Sequence, residues 1–205
     1  MNRILIILVF ALLGRHASAA SPKRIITLSS ALTETVDALG SGAQIVAVDV
    51  TSTYPTYITK LPKVSKDRAL SAEGIISFSP DMVLAPENMI SKAISYQLQS
   101  AGIRVVVIKQ EYTPKGAASF IRQTAAALGN AAKGEQLAKQ TEANVAKALD
   151  LVKKNPKSPK VLFLYARGTG VMMVAGQETS MDAIIRLAGG KNAAQGFSKF
   201  KPKPR

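Results

Sequence analysis

Four short β-branched runs, each followed by a helix-patterned stretch, occupy residues 24–112, and this alternation restricts the chain more than any other feature. The runs are Arg24–Leu28, Ile45–Val50, Met82–Ala85 and Arg104–Ile108. They are apolar almost throughout rather than at every second position, so both faces of the sheet they form have to be covered. A parallel sheet between two helical layers meets that requirement. Helices are predicted over Ser30–Leu39, stopped by Gly40; over Ser71–Phe78, with Ser71 as N-cap; and over Ile90–Ala101, with Gly102 just past the end.

Thr113–Lys154 has another character. It is rich in Ala, Lys and Gln and has no strand-like run. Thr113-Pro114 reads as a helix start with proline at the first helical position, and Phe120, Ile121, Thr124 and Leu128 share a face. Gly129-Asn130 breaks the pattern, with Asn130 as a fresh N-cap. The second helix, Ala131–Lys154, would be on the order of 35 Å long. Asn155–Lys160 reads as a linker. Beyond it come a strand at Val161–Tyr165, a turn at Arg167-Gly168-Thr169-Gly170, a strand at Val171–Ala175 and a helix at Met181–Ala188 capped by Ser180. The basic, proline-rich Lys199–Arg205 cannot be a central strand. Two strands and one helix cannot cover both faces of a sheet, so this second α/β segment reads as incomplete.

Met1–Ala19 has the form of a secretory leader: Arg3, a ten-residue apolar run Ile4–Leu13, and Ala17-Ser18-Ala19 as a cleavage pattern. The run is shorter than the roughly 20 residues that span a bilayer. The leader contains Arg3, Arg15 and no acid, so its removal takes the net charge from +14 to +12. It also contains the chain's one histidine, His16, and there is no cysteine. Residues 20–205 therefore exclude serine–histidine and cysteine–histidine catalysis and ordinary zinc sites. The lysines are scattered, apart from clusters at Lys153–Lys160 and Lys199–Arg205, and no nucleic-acid-binding motif is present. The expected product is an exported soluble protein that is not an enzyme, with no nucleic-acid partner and no stable membrane insertion.

Several stretches resemble the periplasmic haem-binding proteins of ABC importers, within the wider iron–siderophore and cobalamin binding family. They are Arg24-Ile25-Ile26-Thr27-Leu28, Val48-Asp49-Val50-Thr51-Ser52-Thr53-Tyr54-Pro55, Leu61-Pro62-Lys63-Val64, Arg68-Ala69-Leu70-Ser71-Ala72-Glu73-Gly74-Ile75, and Asp182-Ala183-Ile184-Ile185-Arg186-Leu187-Ala188-Gly189-Gly190-Lys191-Asn192. The resemblance implies an α/β, two-lobed helix-backbone periplasmic-binding fold: residues 20–112 a complete parallel-sheet lobe, 113–155 linking helices, and 156–205 part of a C-terminal lobe that relatives carry further. A chain shortened in this way could also be a non-functional product.

By the same resemblance haem, as transported ligand, is bound between the lobes and passed to an inner-membrane ABC permease by a monomeric carrier. A siderophore or cobalamin is the alternative cargo. Haem needs apolar walls, an axial donor and cations for its propionates. Without His or Cys, Tyr165 is the candidate iron ligand, at the end of a predicted strand, where open α/β sheets bind ligands. Lys66, Arg68 and Arg167 are the propionate candidates, and Tyr54 a pocket residue. Lys66 stands where haem-binding relatives carry a ligating tyrosine, and an ammonium must lose its proton before it can ligate. Met172 and Met173 read as core. Ser29 and Ser30 could hold an anion or cap a helix. Glu73 matches a glutamate that docks on arginines of the permease.

Overall fold

The computed structural model describes residues 21–65, 69–154, 157–167 and 170–202, with the backbone alone at Arg167. The leader, Lys66, Arg68 and the Gly168-Thr169 turn lie outside the described residues. The chain opens with β1 (Ile25–Thr27), α1 (Ser30–Ala38), β2 (Ile45–Val48), α2 (Ala72–Ile76), β3 (Met82–Pro86), α3 (Lys92–Ser100) and β4 (Arg104–Ile108). The strands form one parallel sheet in the order β2-β1-β3-β4.

Because side chains alternate along a strand, each central strand feeds two cores. Ile25, Met82 and Leu84 meet Leu32 and Val36 of α1 on one side; Ile26, Val83 and Ala85 meet Ile75 of α2 and Leu98 of α3 on the other. That double cover is why the strands read as unbroken apolar runs. Helix starts follow side-chain chemistry: Ser29, Ser71, Ser91 and Thr113 each accept a hydrogen bond from the backbone N–H three residues on. The third helix accordingly starts after Ser91 rather than at Ile90.

α4 (Pro114–Ala127) and α5 (Ala131–Lys154) are the two linking helices. Gly129, at φ 74°, makes the turn between them. They pack closely because Gly134 faces Ala125; a Cβ there would lie 2.2 Å from the Ala125 methyl. Arg122 of α4 donates to Glu135 at 2.7 Å and Glu142 at 3.3 Å on α5, and holds the Glu135 carboxyl below its ordinary range. Asn130 donates its side-chain amide to the Leu39 carbonyl at 3.3 Å, tying this junction to the end of α1.

The second α/β segment departs from its predicted outline. The expected strand Val161–Tyr165 is two: β5 (Lys160–Val161), and β6 (Leu164–Arg167), which turns back antiparallel onto β7 (Val171–Ala175). After α6 (Ser180–Leu187), β8 (Lys191–Asn192) pairs with β5 in parallel, and β9 (Phe200–Pro202) adds an antiparallel edge to β7. Phe200–Pro202 of the proline-rich tail is thus a strand, in the edge position that proline permits. Thr179, not Ser180, caps α6. Asn192 clamps the segment: its amide donates to the Ala175 carbonyl and to Asp182, each at 3.1 Å. Burial falls off along the hairpin. Val174 and Ala175 are buried, whereas Met172, expected in the core, is 40% exposed.

Candidate functional site

α1 has two working faces. Leu32, Thr33, Val36 and Leu39 point into the core. The residues left over, Ala31, Glu34, Thr35 and Ala38, follow the i, i+3, i+4, i+7 spacing of the opposite stripe. They form one wall of a cavity of about 660 Å³. Tyr54 and the Gln110–Thr113 segment enter from beyond the carboxyl ends of β2 and β4. Phe120 and Ile121 of α4 and Leu137 and Val145 of α5 line its apolar floor, and Ala183, Ile184 and Leu187 of α6 close it. A space of this size with mostly apolar walls and a few polar groups is what a cofactor-sized ligand requires, and its place outside the strand ends is where open α/β sheets bind.

The segment that leads to Tyr54 is held by a buried polar chain. Thr27 and Thr33 share a hydrogen bond of 2.6 Å, Thr33 and Ser52 one of 2.7 Å, and the Ser52 hydroxyl donates to Asp49 at 2.5 Å. The other Asp49 oxygen accepts from the Thr51 N–H at 2.9 Å and from the Thr51 hydroxyl. Lys63 donates to the Ser52 carbonyl at 2.7 Å. Two positions past Ser52, Tyr54 is 63% exposed and joined to Pro55 by a cis peptide bond.

Behind α1, the Tyr57 hydroxyl donates to Asp37. Partial burial, followed by this bond and the negative charge of Asp37, pushes the Tyr57 phenol from 10.0 up to about 12. The raised value means that the folded state keeps a proton that the unfolded chain gives up, so this contact's stabilisation is intact below pH 10 and is lost as pH rises towards 12. Spectrophotometric titration of phenolate absorbance should show a component with its midpoint near pH 12 that is missing from Tyr57→Phe; an unchanged titration curve in that variant would refute the assignment.

Of the residues singled out from sequence, Tyr54 lines the cavity and Tyr165 is not among its lining residues. Tyr165 does not end a strand as expected. Because β6 starts at Leu164 and runs to Arg167, Tyr165 sits inside the hairpin, opposite Met173. The Arg167 backbone pairs with Val171. Ser29 is the N-cap of α1. Glu73 is exposed in the first turn of α2, on the side of the sheet away from α1. Lys66 and Arg68 are outside the described residues. Sequence reasoning missed Glu34, Asp37, Glu111 and Tyr112, all of which line the cavity. The available signals were the stripe of α1 left over from its core face and the position of Tyr112 just before the Thr113-Pro114 helix start.

Among the described residues no group of three or more His, Asp or Glu side chains is placed to hold a metal ion. None of their helices is long and apolar enough to cross a membrane.

The sheet, the paired linking helices and the crevice are the architecture of a two-lobed solute-binding protein, and the periplasmic binding protein family model matches residues 25–203. The chain belongs to that family, whose members are substrate-binding components of transport and not a class of enzyme. The periplasmic heme-binding protein RhuT from Roseiflexus sp. RS-1, solved in apo form, is 41% identical with a TM-score of 0.83; the match covers 89% of this chain and 70% of RhuT. Solved variants of the heme-binding protein HmuT replace a tyrosine, and an arginine two positions further on, by alanine. They are 26–27% identical with TM-scores of 0.77–0.78, over 88% of this chain and 58% of HmuT. The ABC transporter substrate-binding lipoprotein YvrC of Bacillus subtilis is 30% identical over 84% of this chain. The vitamin B12-binding protein of Yersinia pseudotuberculosis is 28% identical over 94% of it. The chain spans 56% of the length of YvrC and 66% of the B12-binding protein.

Proposed function

We propose that this chain is the extracytoplasmic binding component of an ABC importer and that its cargo is haem, held in the 660 Å³ cavity between α1, α4, α5 and α6. The observation that carries the reading is this largely apolar crevice at the strand ends, in a chain 41% identical to a heme-binding protein of the same fold. In this reading residues 20–112 and 156–205 are the two lobes and 113–155 joins them. Tyr54 packs against the porphyrin. Tyr165, which lies outside the cavity lining, has to reach the iron from the β6–β7 hairpin and supply a phenolate oxygen, one of the known modes of haem ligation. Arg167, Lys66 and Arg68 neutralise the propionates. Tyr165-Ala166-Arg167 repeats the spacing of the tyrosine and arginine exchanged in the HmuT variants, which supports treating the two as a unit. Glu73, exposed in the first turn of α2, docks a monomeric carrier on the permease.

The test is absorbance titration of the purified chain with hemin. A saturable Soret shift is expected, and Tyr165→Phe should weaken binding by about tenfold, roughly 1.4 kcal/mol, and change the visible bands of the ferric complex. An untouched hemin spectrum ends the reading. The B12-binding relatives favour a second cargo, a corrinoid; saturable cyanocobalamin binding without a hemin response would establish it instead.

A further inference from the structure

The cavity wall carries charge of one sign. Glu34 and Asp37 of α1 and Glu111 beyond β4 line it, and among the described residues no Lys or Arg lines it. This runs against a composition of 27 basic to 13 acidic residues. Lys109 offsets Glu111 at 2.6 Å. Among the described residues the Asp37 carboxylate accepts only from the neutral Tyr57 hydroxyl, and Glu34 makes neither an ion pair nor a side-chain hydrogen bond. The α1 wall is therefore net negative among the described residues and faces a mostly apolar cleft that is open to solvent.

We infer that this wall is a charge filter on the cargo. It admits a large apolar ligand that is neutral, or whose anionic groups sit on one edge and can point away from α1. It rejects an iron chelate with negative charge distributed around it, such as a ferric tris-catecholate trianion. For a porphyrin, the propionate edge then turns from Glu34 and Asp37 towards the strand bearing Arg167. The inference rests on the cavity being the cargo site, not on haem being the cargo. Two like charges about 6 Å apart, at an effective dielectric between about 20 and 80, cost about 3- to 100-fold in affinity.

The experiment is equilibrium dialysis of the full chain at low salt against hemin, cyanocobalamin and a ferric tris-catecholate. The trianion should bind at least about 30-fold more weakly than the tighter of the other two. Glu34→Gln combined with Asp37→Asn should raise the trianion's affinity relative to that of cyanocobalamin about tenfold or more, and high salt should narrow the gap. Both substitutions keep side-chain size and hydrogen-bond acceptors, and Glu34 is exposed. Far-ultraviolet circular dichroism checks that the fold is kept, and Glu34→Gln alone gives the same readout should the pair unfold. Trianion binding as tight as the tighter of the other ligands, or unmoved by the substitutions, overturns the filter and leaves the haem reading standing. Loss of hemin binding alone, with the trianion still rejected, overturns haem and leaves the filter.

Discussion

Leu84→Ala is expected to lower the free energy of unfolding by about 2–5 kcal/mol. Leu84 is fully buried in β3, a central strand of the sheet. Its neighbours in register are Thr27 on β1 and Val106 on β4. Its side chain belongs to the core shared by Ile25, Leu32, Val36, Ile108 and Phe120, so a cavity there is walled by strands and by two different helices. Such a site cannot collapse without moving the sheet or α1, and the loss includes the unfilled volume as well as the transfer of the missing methyl groups. Val107→Ala is the control. Val107 is 52% exposed on the edge strand β4 and should cost under about 1 kcal/mol. Urea titrations of the two variants side by side measure the contrast; equal midpoints would refute the placement of β3 at the centre of the fold.

The same contrast explains why residues 24–112 are legible in the sequence. Ile25, Ile26, Val83 and Leu84 are apolar at consecutive positions because the sheet has a helical layer on each side, and that pattern is visible without coordinates. The caps at Ser29, Ser71 and Thr113 and the Gly129 turn are local chemistry and are equally visible in the sequence. What was hidden depends on partners distant in sequence. No local signal separates β5 from β6, since the division is set by which strand each one pairs with: β8 for one, β7 for the other. Ser180 reads as the cap of α6 from sequence because Thr179 and Ser180 can both accept a backbone N–H there, and only the backbone geometry selects Thr179.

The candidate site was legible to a smaller degree. Tyr54 was found through a motif, and it lines the cavity. Tyr165 was chosen as the end of a strand whose end lies at Arg167. Glu34 and Asp37 looked like ordinary solvent-facing positions of an amphipathic helix, because nothing in α1 itself announces that α6, about 150 residues later, comes to face that stripe. A wall contributed by one helix acquires meaning only when the opposite wall is in place.

Asp49→Ala should be the most damaging single substitution in the loop that carries Tyr54 to the cavity. Asp49 is 5% exposed, and its carboxylate accepts from the Ser52 hydroxyl, the Thr51 hydroxyl and the Thr51 N–H. Alanine leaves three donors without that acceptor, and a buried unsatisfied donor costs about 1–3 kcal/mol. Part of the loop can turn to water, so the expected loss is about 2–4 kcal/mol rather than the full sum. The damage should spread, because Ser52 is also the link to Thr33 of α1 and Thr27 of β1, both fully buried. Asp49→Asn keeps one carbonyl acceptor, and the rotatable hydroxyls can accept from its amide, so it should recover about half of the loss. Denaturant unfolding of the three proteins reads the stability order, with wild type above Asn and Asn above Ala. Hemin titration reads the consequence for Tyr54: affinity should follow the same order, since a loosened Thr51–Tyr54 segment must be ordered before it can close on a ligand. If Asp49→Ala unfolded within about 0.5 kcal/mol of wild type, a surface-like effect, the hydroxyl chain would not be what fixes the loop. If stability fell and ligand affinity did not, the loop would be a structural brace with no part in gripping the cargo.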